Sequence, residues 1–161
     1  MAEGTVINDL PDHTRASPDS TAGLPEESLR VLSRIRDVMP PRNLARLRRL
    51  CLTLPEAHEV EAWSEPTFRV RNKLFAMYAA PNNHHGGGRP AVWCKAAPGN
   101  QALMVRAEPE RYFVPPYVGP SGWVGVWLDR NPDWSEVKEL MSDSYRLVAP
   151  KRLAALLGGD E

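Results

Sequence analysis

The residues best placed to do chemistry are aromatic and cationic side chains at a spacing of two. In Ser121-Gly-Trp-Val-Gly-Val-Trp-Leu-Asp129, Trp123, Gly125 and Trp127 alternate with Val124, Val126 and Leu128. Arg69 and Arg71 alternate with Phe68 and Val70, and Trp93 and Lys95 with Val92 and Cys94. Side chains two apart on a strand share a face. If the aliphatic set faces a helical layer, the opposite face displays Trp93, Trp123, Trp127, Arg69, Arg71 and Lys95. Flat indoles between cations suit stacking on bases and neutralising phosphates. Gly125 leaves room for a planar ligand to approach the backbone. Lys73 in a hairpin and Arg89 in a loop extend the expected nucleic-acid-binding set.

The same residues admit a second reading. The segment 107–120 contains Tyr112, Phe113, Pro115, Pro116 and Tyr117, which could fold over the indoles and make a second small core. Partial cover would leave an aromatic pocket around Trp123 and Trp127, suited to a small molecule or a protein segment.

Other clusters carry less. In the Asn82–Arg89 loop, His84 and His85 are adjacent and lack the spacing of a metal site, so the loop reads as a polar hairpin tip. Its glycines with Arg89 could hold a phosphate, but the pattern matches no phosphate-binding fingerprint. Glu56, Glu59, Glu61 and Glu65 read as a solvated strand face. Catalytic motifs are absent. The reading is therefore a non-enzymatic protein with no cofactor and no metal.

These side chains need a sheet and a helical layer to position them. Alternation or apolar runs predict strands over His58–Trp63, around Thr67–Arg71, over Leu74–Ala79, Ala91–Lys95 and Trp123–Leu128. Asn72-Lys73 is expected as a two-residue turn. Helices are expected from Arg42 to about Thr53, over Gln101–Arg106, and from Asp133, whose side chain with Glu136 forms a capping box. Pro150 opens a last helix that Gly158-Gly159 end. Within α-helical spacing, Leu44, Leu47, Cys51 and Leu54 form an inner stripe, and Arg42, Arg46 and Arg49 an outer one. Ser144 and Tyr145 are expected to pack, the tyrosine hydroxyl meeting a carbonyl. Strands in a run with helices at both ends predict an α+β fold: an antiparallel sheet of about five strands covered on one face.

Upstream, residues 1–24 are rich in Ser, Thr, Asp, Pro and Gly and read as a disordered tail. Residues 25–40 read as a helical extension, with Leu29, Leu32, Ile35 and Met39 at helical spacing before Pro40-Pro41. The domain proper is expected over 41–158. Net charge is zero, with −3 in residues 1–40 and +3 in residues 41–161, far from the excess of a dedicated nucleic-acid binder. No apolar run reaches membrane-spanning length and no export signal is visible. The two cysteines, Cys51 and Cys94, suggest no disulfide framework. A cytoplasmic monomer is expected.

Four segments taken in order carry a family resemblance. They are Thr67–Tyr78, Ser121–Asp129, Asp133-Trp-Ser-Glu136 and Ser144-Tyr-Arg-Leu-Val-Ala-Pro-Lys-Arg152. Over about residues 43–157 the chain resembles the MmcQ/YjbR family, small proteins with a frataxin-like (CyaY-like) fold labelled DNA-binding. The resemblance implies weak, salt-sensitive DNA binding without catalysis. At the hairpin it departs from the family, with Arg71-Asn72-Lys73 in place of Gly-Gly-Lys. Frataxin also suggests iron, but the helix that would carry acids has Arg42, Arg46, Arg48 and Arg49, which argues against it.

Overall fold

A computed structural model describes residues 23–38, 41–82 and 88–158. The tail over 1–22, Met39-Pro40 and the His84-His85 pair lie outside the described residues. The chain divides into two units, 1–40 and 41–161. The first carries α1 (Glu26–Val38), with Glu26 and Glu27 in its first turn, where carboxylates favour the helix dipole.

The second unit holds one antiparallel sheet of six strands, in the order β1-β2-β3-β4-β6-β5. The strands are β1 (His58–Ala62), β2 (Glu65–Val70), β3 (Lys73–Ala79), β4 (Ala91–Lys95), β5 (Tyr112–Phe113) and β6 (Trp123–Trp127). Helix α2 (Arg42–Leu52) precedes the sheet, and α3 (Asn100–Ala107) links β4 to β5. The long α4 (Trp134–Val148) and short α5 (Lys151–Ala154) follow. The α+β expectation holds. The extra strand is β5, two residues inside the aromatic segment, which pair with Val126 and Gly125 of β6.

Alternation sorts the sheet into two apolar layers. Phe68, Val70, Phe75, Val92, Cys94, Val124 and Val126 pack with Leu44, Leu47 and Cys51 of α2 and Val137, Met141 and Tyr145 of α4. On the other face Met77, Ala79, Ala91, Trp93 and Trp123 form a second cluster with Leu74, Phe113, Val118 and Trp127. The indoles therefore do point away from the helices.

Two residues of α4 secure it to the sheet. Ser144, fully buried, donates to the Phe75 carbonyl (2.6 Å) and accepts the Lys95 amide (2.9 Å). The paired register of β3 and β4 ends at Ala76 and Cys94, so this hydroxyl bridges the two strands where their own ladder stops. Tyr145 donates to the Pro55 carbonyl at 2.6 Å and meets Phe75 edge-on, as the sequence predicts. Asp133 caps α4 by accepting the Ser135 and Glu136 amides. The Glu136 side chain does not reach back to close a capping box; it accepts from Arg111 and the Tyr112 hydroxyl.

Burial fixes the protonation of several core groups. It pushes the Tyr78 hydroxyl and the Cys94 thiol each up to about 12, and Cys51 well above its ordinary value. The neutral forms are thus favoured by folding, while the unfolded chain ionises near 10.0 for tyrosine and 9.0 for cysteine. Their contribution is complete below pH 9 and is lost as pH rises from there toward 12. Thermal melts should show a falling midpoint across that window, and a midpoint flat throughout it would contradict the assignment.

Candidate functional site

The outer sheet face carries an apolar cavity of about 420 Å³. Leu74, Met77, Trp93 and Trp123 form its sheet side, and Trp63, Tyr117 and Val118 complete the lining. Adjacent strands set out this floor by register. Met77 stands opposite Trp93, Trp93 opposite Gly125, and Lys95 opposite Trp123.

The two lips are wet and strained. Trp63 is 59% exposed and Tyr117 72%. Trp63 and Ser64 form the two-residue turn between Ala62 and Glu65, with φ of 56° and 64°. Tyr117 has φ 67° and sits at the centre of a three-residue turn closed by the Val118 amide on the Pro116 carbonyl. Left-handed backbone disfavours bulky side chains, and turns of that size at positive φ are rare. Both lips thus keep a large aromatic where glycine or asparagine would be easier.

The remainder of the 107–120 segment closes the other half of the face. Phe113 stacks on Trp127, centroids 4.0 Å apart and planes at 22°. It covers Gly125 so closely that a Cβ there would lie 2.5 Å from its ring carbons. The planar group that the Gly125 gap admits is the protein's own phenyl ring. Tyr112, expected as cover beside Phe113, turns the opposite way. Alternation along β5 sends it to the helical side, buried, with its hydroxyl donating to Glu136. Gln101 anchors the return by donating to the Gly119 (2.8 Å) and Trp123 (2.5 Å) carbonyls.

The predicted cations divide. Arg69, opposite Leu74, and Lys95, opposite Trp123, share the face of the cavity. Arg71 and Lys73 do not, because the hairpin turn is Arg71-Asn72 rather than Asn72-Lys73. Both turn residues have positive φ, 51° and 67°, and Lys73 is paired with Val70 at the start of β3. The one-residue shift takes Arg71 out of strand parity and puts Lys73 on the parity of Phe75, the helical side. Arg71 binds Glu56 at 2.8 Å, with Arg152 3.8 Å from the same carboxylate. Arg89 makes a two-pronged pair with Asp129, both contacts 2.8 Å, and lies 4.2 Å over the Trp127 ring. Its guanidinium holds the Asp129 carboxyl below the usual range. Trp93 and Trp123 belong to the cavity floor, while Trp127 belongs to the closed half.

Tyr117 and Val118 come from the 107–120 segment expected as cover; sequence reasoning missed Trp63, Leu74 and Met77. Leu74 and Met77 lie in an all-apolar strand where alternation carries no signal. Trp63 reads as the end of a strand because Trp-Ser has none of the usual turn chemistry. Of the acids, Glu59 pairs with Arg48 of α2 at 2.7 Å, and Glu65 is buried, accepting the Ala80 amide. These two leave the expected solvated strand face, while Glu56 and Glu61 are exposed. Among the described residues no cluster of His, Cys, Asp or Glu could hold a metal ion. No helix among them is long and apolar enough to cross a membrane.

The chain's fold is shared with the crystal structure of Deinococcus radiodurans protein DR2400, of domain family DUF419. The two are 22% identical with a TM-score of 0.55, over 70% of this chain and 85% of that one. No curated protein matches the chain. The YjbR family model matches residues 52–147, well over half of the chain, spanning all six strands and nearly all of α4. The chain therefore belongs to the YjbR family.

Proposed function

We propose that this protein is a binding module, without catalysis, for a small flat apolar molecule held in the outer-face cavity. One observation carries the reading: an open aromatic cavity of about 420 Å³ whose two exposed lips, Trp63 and Tyr117, are both held at positive φ. The volume falls in the range of small-molecule sites, roughly 300–1,000 Å³. Strained backbone kept at two places around one cavity is the pattern of a ligand clamp. A flat ring entering over Trp93 and Trp123 would be gripped by Trp63 and Tyr117 and would bury these two exposed lips further.

The test uses the indoles as reporters. Titration with 2-naphthalenemethanol, a neutral flat probe, should quench or shift tryptophan emission. Trp63→Gly and Tyr117→Gly should each weaken binding about tenfold. Each should leave the thermal midpoint unchanged or higher, because glycine relieves the backbone. A silent titration in the wild-type chain, or lip variants that bind equally well, would refute the reading.

DNA binding, the family's label, is the second reading, and its support comes from the helix rather than the sheet. Arg42, Arg46 and Arg49 line a groove of about 600 Å³ with Trp134, Arg46 lying 5.0 Å over that ring. Among the described ion pairs none involves these three arginines. Duplex and single-stranded DNA belong in the same titration series. Salt-sensitive binding that leaves indole emission and probe affinity untouched would assign DNA to α2 and the small molecule to the cavity.

A further inference from the structure

We infer that the molecule taken by the outer-face cavity is an organic anion, a flat apolar body bearing a carboxylate that Arg69 and Lys95 receive. This rests on the cavity being a ligand site and adds the ligand's charge and its orientation.

Register sets both cations beside residues of the cavity floor. Arg69 is paired with Leu74, and Lys95 with Trp123; Leu74 and Trp123 both line the cavity. Directly opposed residues of antiparallel strands point to the same side, Cβ atoms about 5 Å apart. The two cations therefore lie at the same end of the cavity's face, the end nearest the β2–β3 hairpin, with β3 between them.

Their state sets them apart from four arginines near the sheet. Arg48, Arg71, Arg89 and Arg111 are each taken by a carboxylate: Glu59, Glu56, Asp129, and Glu108 with Glu136. Arg69 and Lys95 enter none of the described ion pairs. Arg69 is half-buried and oriented at its root, where Nε donates to Thr67 Oγ1 at 3.1 Å while that hydroxyl donates to the Val60 carbonyl. This leaves the terminal amino groups of the guanidinium for another acceptor. Lys95 is likewise half-buried, and its backbone is fixed by Ser144.

The neighbouring charges agree. His58 of β1 stands opposite Arg69. The acids of β1, Glu59 and Glu61, alternate to the helical side, and Glu59 is already paired there. On the cavity's own face of β2 the carboxylate is Glu65, four residues from Arg69 toward the other end, buried on the Ala80 amide. An anionic ligand would therefore lie with its charge toward the hairpin and its rings across Trp93 and Trp123. Charge-assisted hydrogen bonds beside an apolar wall are stronger than in open water.

Three probes of one shape separate the outcomes in the full chain: 2-naphthoate, 2-naphthalenemethanol and 2-naphthylmethylammonium, followed by indole emission. The expected order is anion, neutral, cation, with naphthoate at least tenfold tighter than the alcohol at 50 mM salt. That gap should narrow at 500 mM salt. In Arg69→Gln/Lys95→Gln, naphthoate should fall to the affinity of the alcohol, and the alcohol should bind as before. Lys95→Gln alone, at a half-exposed side chain, supplies a partial loss should the double variant melt early. If the alcohol binds as tightly as naphthoate, or the preference survives the double variant, this inference fails while the cavity reading stands. If none of the three binds, both fall.

Discussion

Ser144→Ala should cost about 2–4 kcal/mol of stability, the largest loss expected from removing one atom in this chain. The hydroxyl is fully buried and serves two backbone groups, donating to the Phe75 carbonyl and accepting the Lys95 amide. Alanine keeps the shape and removes both partners, and each orphaned buried group costs about 1–3 kcal/mol. For a domain of this size the thermal midpoint should drop by roughly 10 °C. Amide exchange adds a readout that simple loss of packing would not give. The Lys95 amide should lose its protection down to the level of local opening, while strand centres such as Val92 exchange only by global unfolding. A loss below about 1 kcal/mol, or a Lys95 amide still protected, would show that the strands bridge without the hydroxyl.

Gly125→Ala should cost about 2–3 kcal/mol, the cost of overfilling a packed site. A methyl at this position falls 2.5 Å from Phe113 ring carbons, so the ring must leave its stack on Trp127. The discriminating measurement is a double-mutant cycle. In a Phe113→Ala background the added methyl has nothing to strike, so Phe113→Ala/Gly125→Ala should be about as stable as Phe113→Ala alone. Additive losses would mean that strand geometry, not the ring, requires glycine here. Because the closed half and the open cavity share β6, Gly125→Ala should also weaken binding of a flat probe, as the 113–118 segment loosens.

Much of the fold was legible because its signals are local. Alternation with period two placed Val124 and Val126 against the helices and Trp123 and Trp127 away from them. The stripe of α2, the cap at Asp133 and the Tyr145 hydroxyl on a carbonyl followed from chain geometry in the same way. The turn was off by one residue because Asn72 can occupy either turn position. Only the pairing of Val70 with Lys73 settles which. That single step decided that Arg71 and Lys73 are not on the indole face. Arg71 and Arg89 met carboxylates 15 and 40 residues away, contacts with no periodic trace in the sequence.

Residue order along each strand set which faces exist: a strand's pleat forces alternate side chains to opposite sides, so the indoles had to share a surface apart from the helical core. What that surface became was decided in three dimensions. Phe113 swings over Gly125 and closes one half, and two left-handed turns bring Trp63 and Tyr117 to the rim of the other. Ion pairs remove Arg71 and Arg89 while leaving Arg69 and Lys95 beside the opening. Such choices depend on how distant segments pack and which charges meet. Those energies come from contacts between residues far apart along the chain, not from the backbone preferences of neighbours.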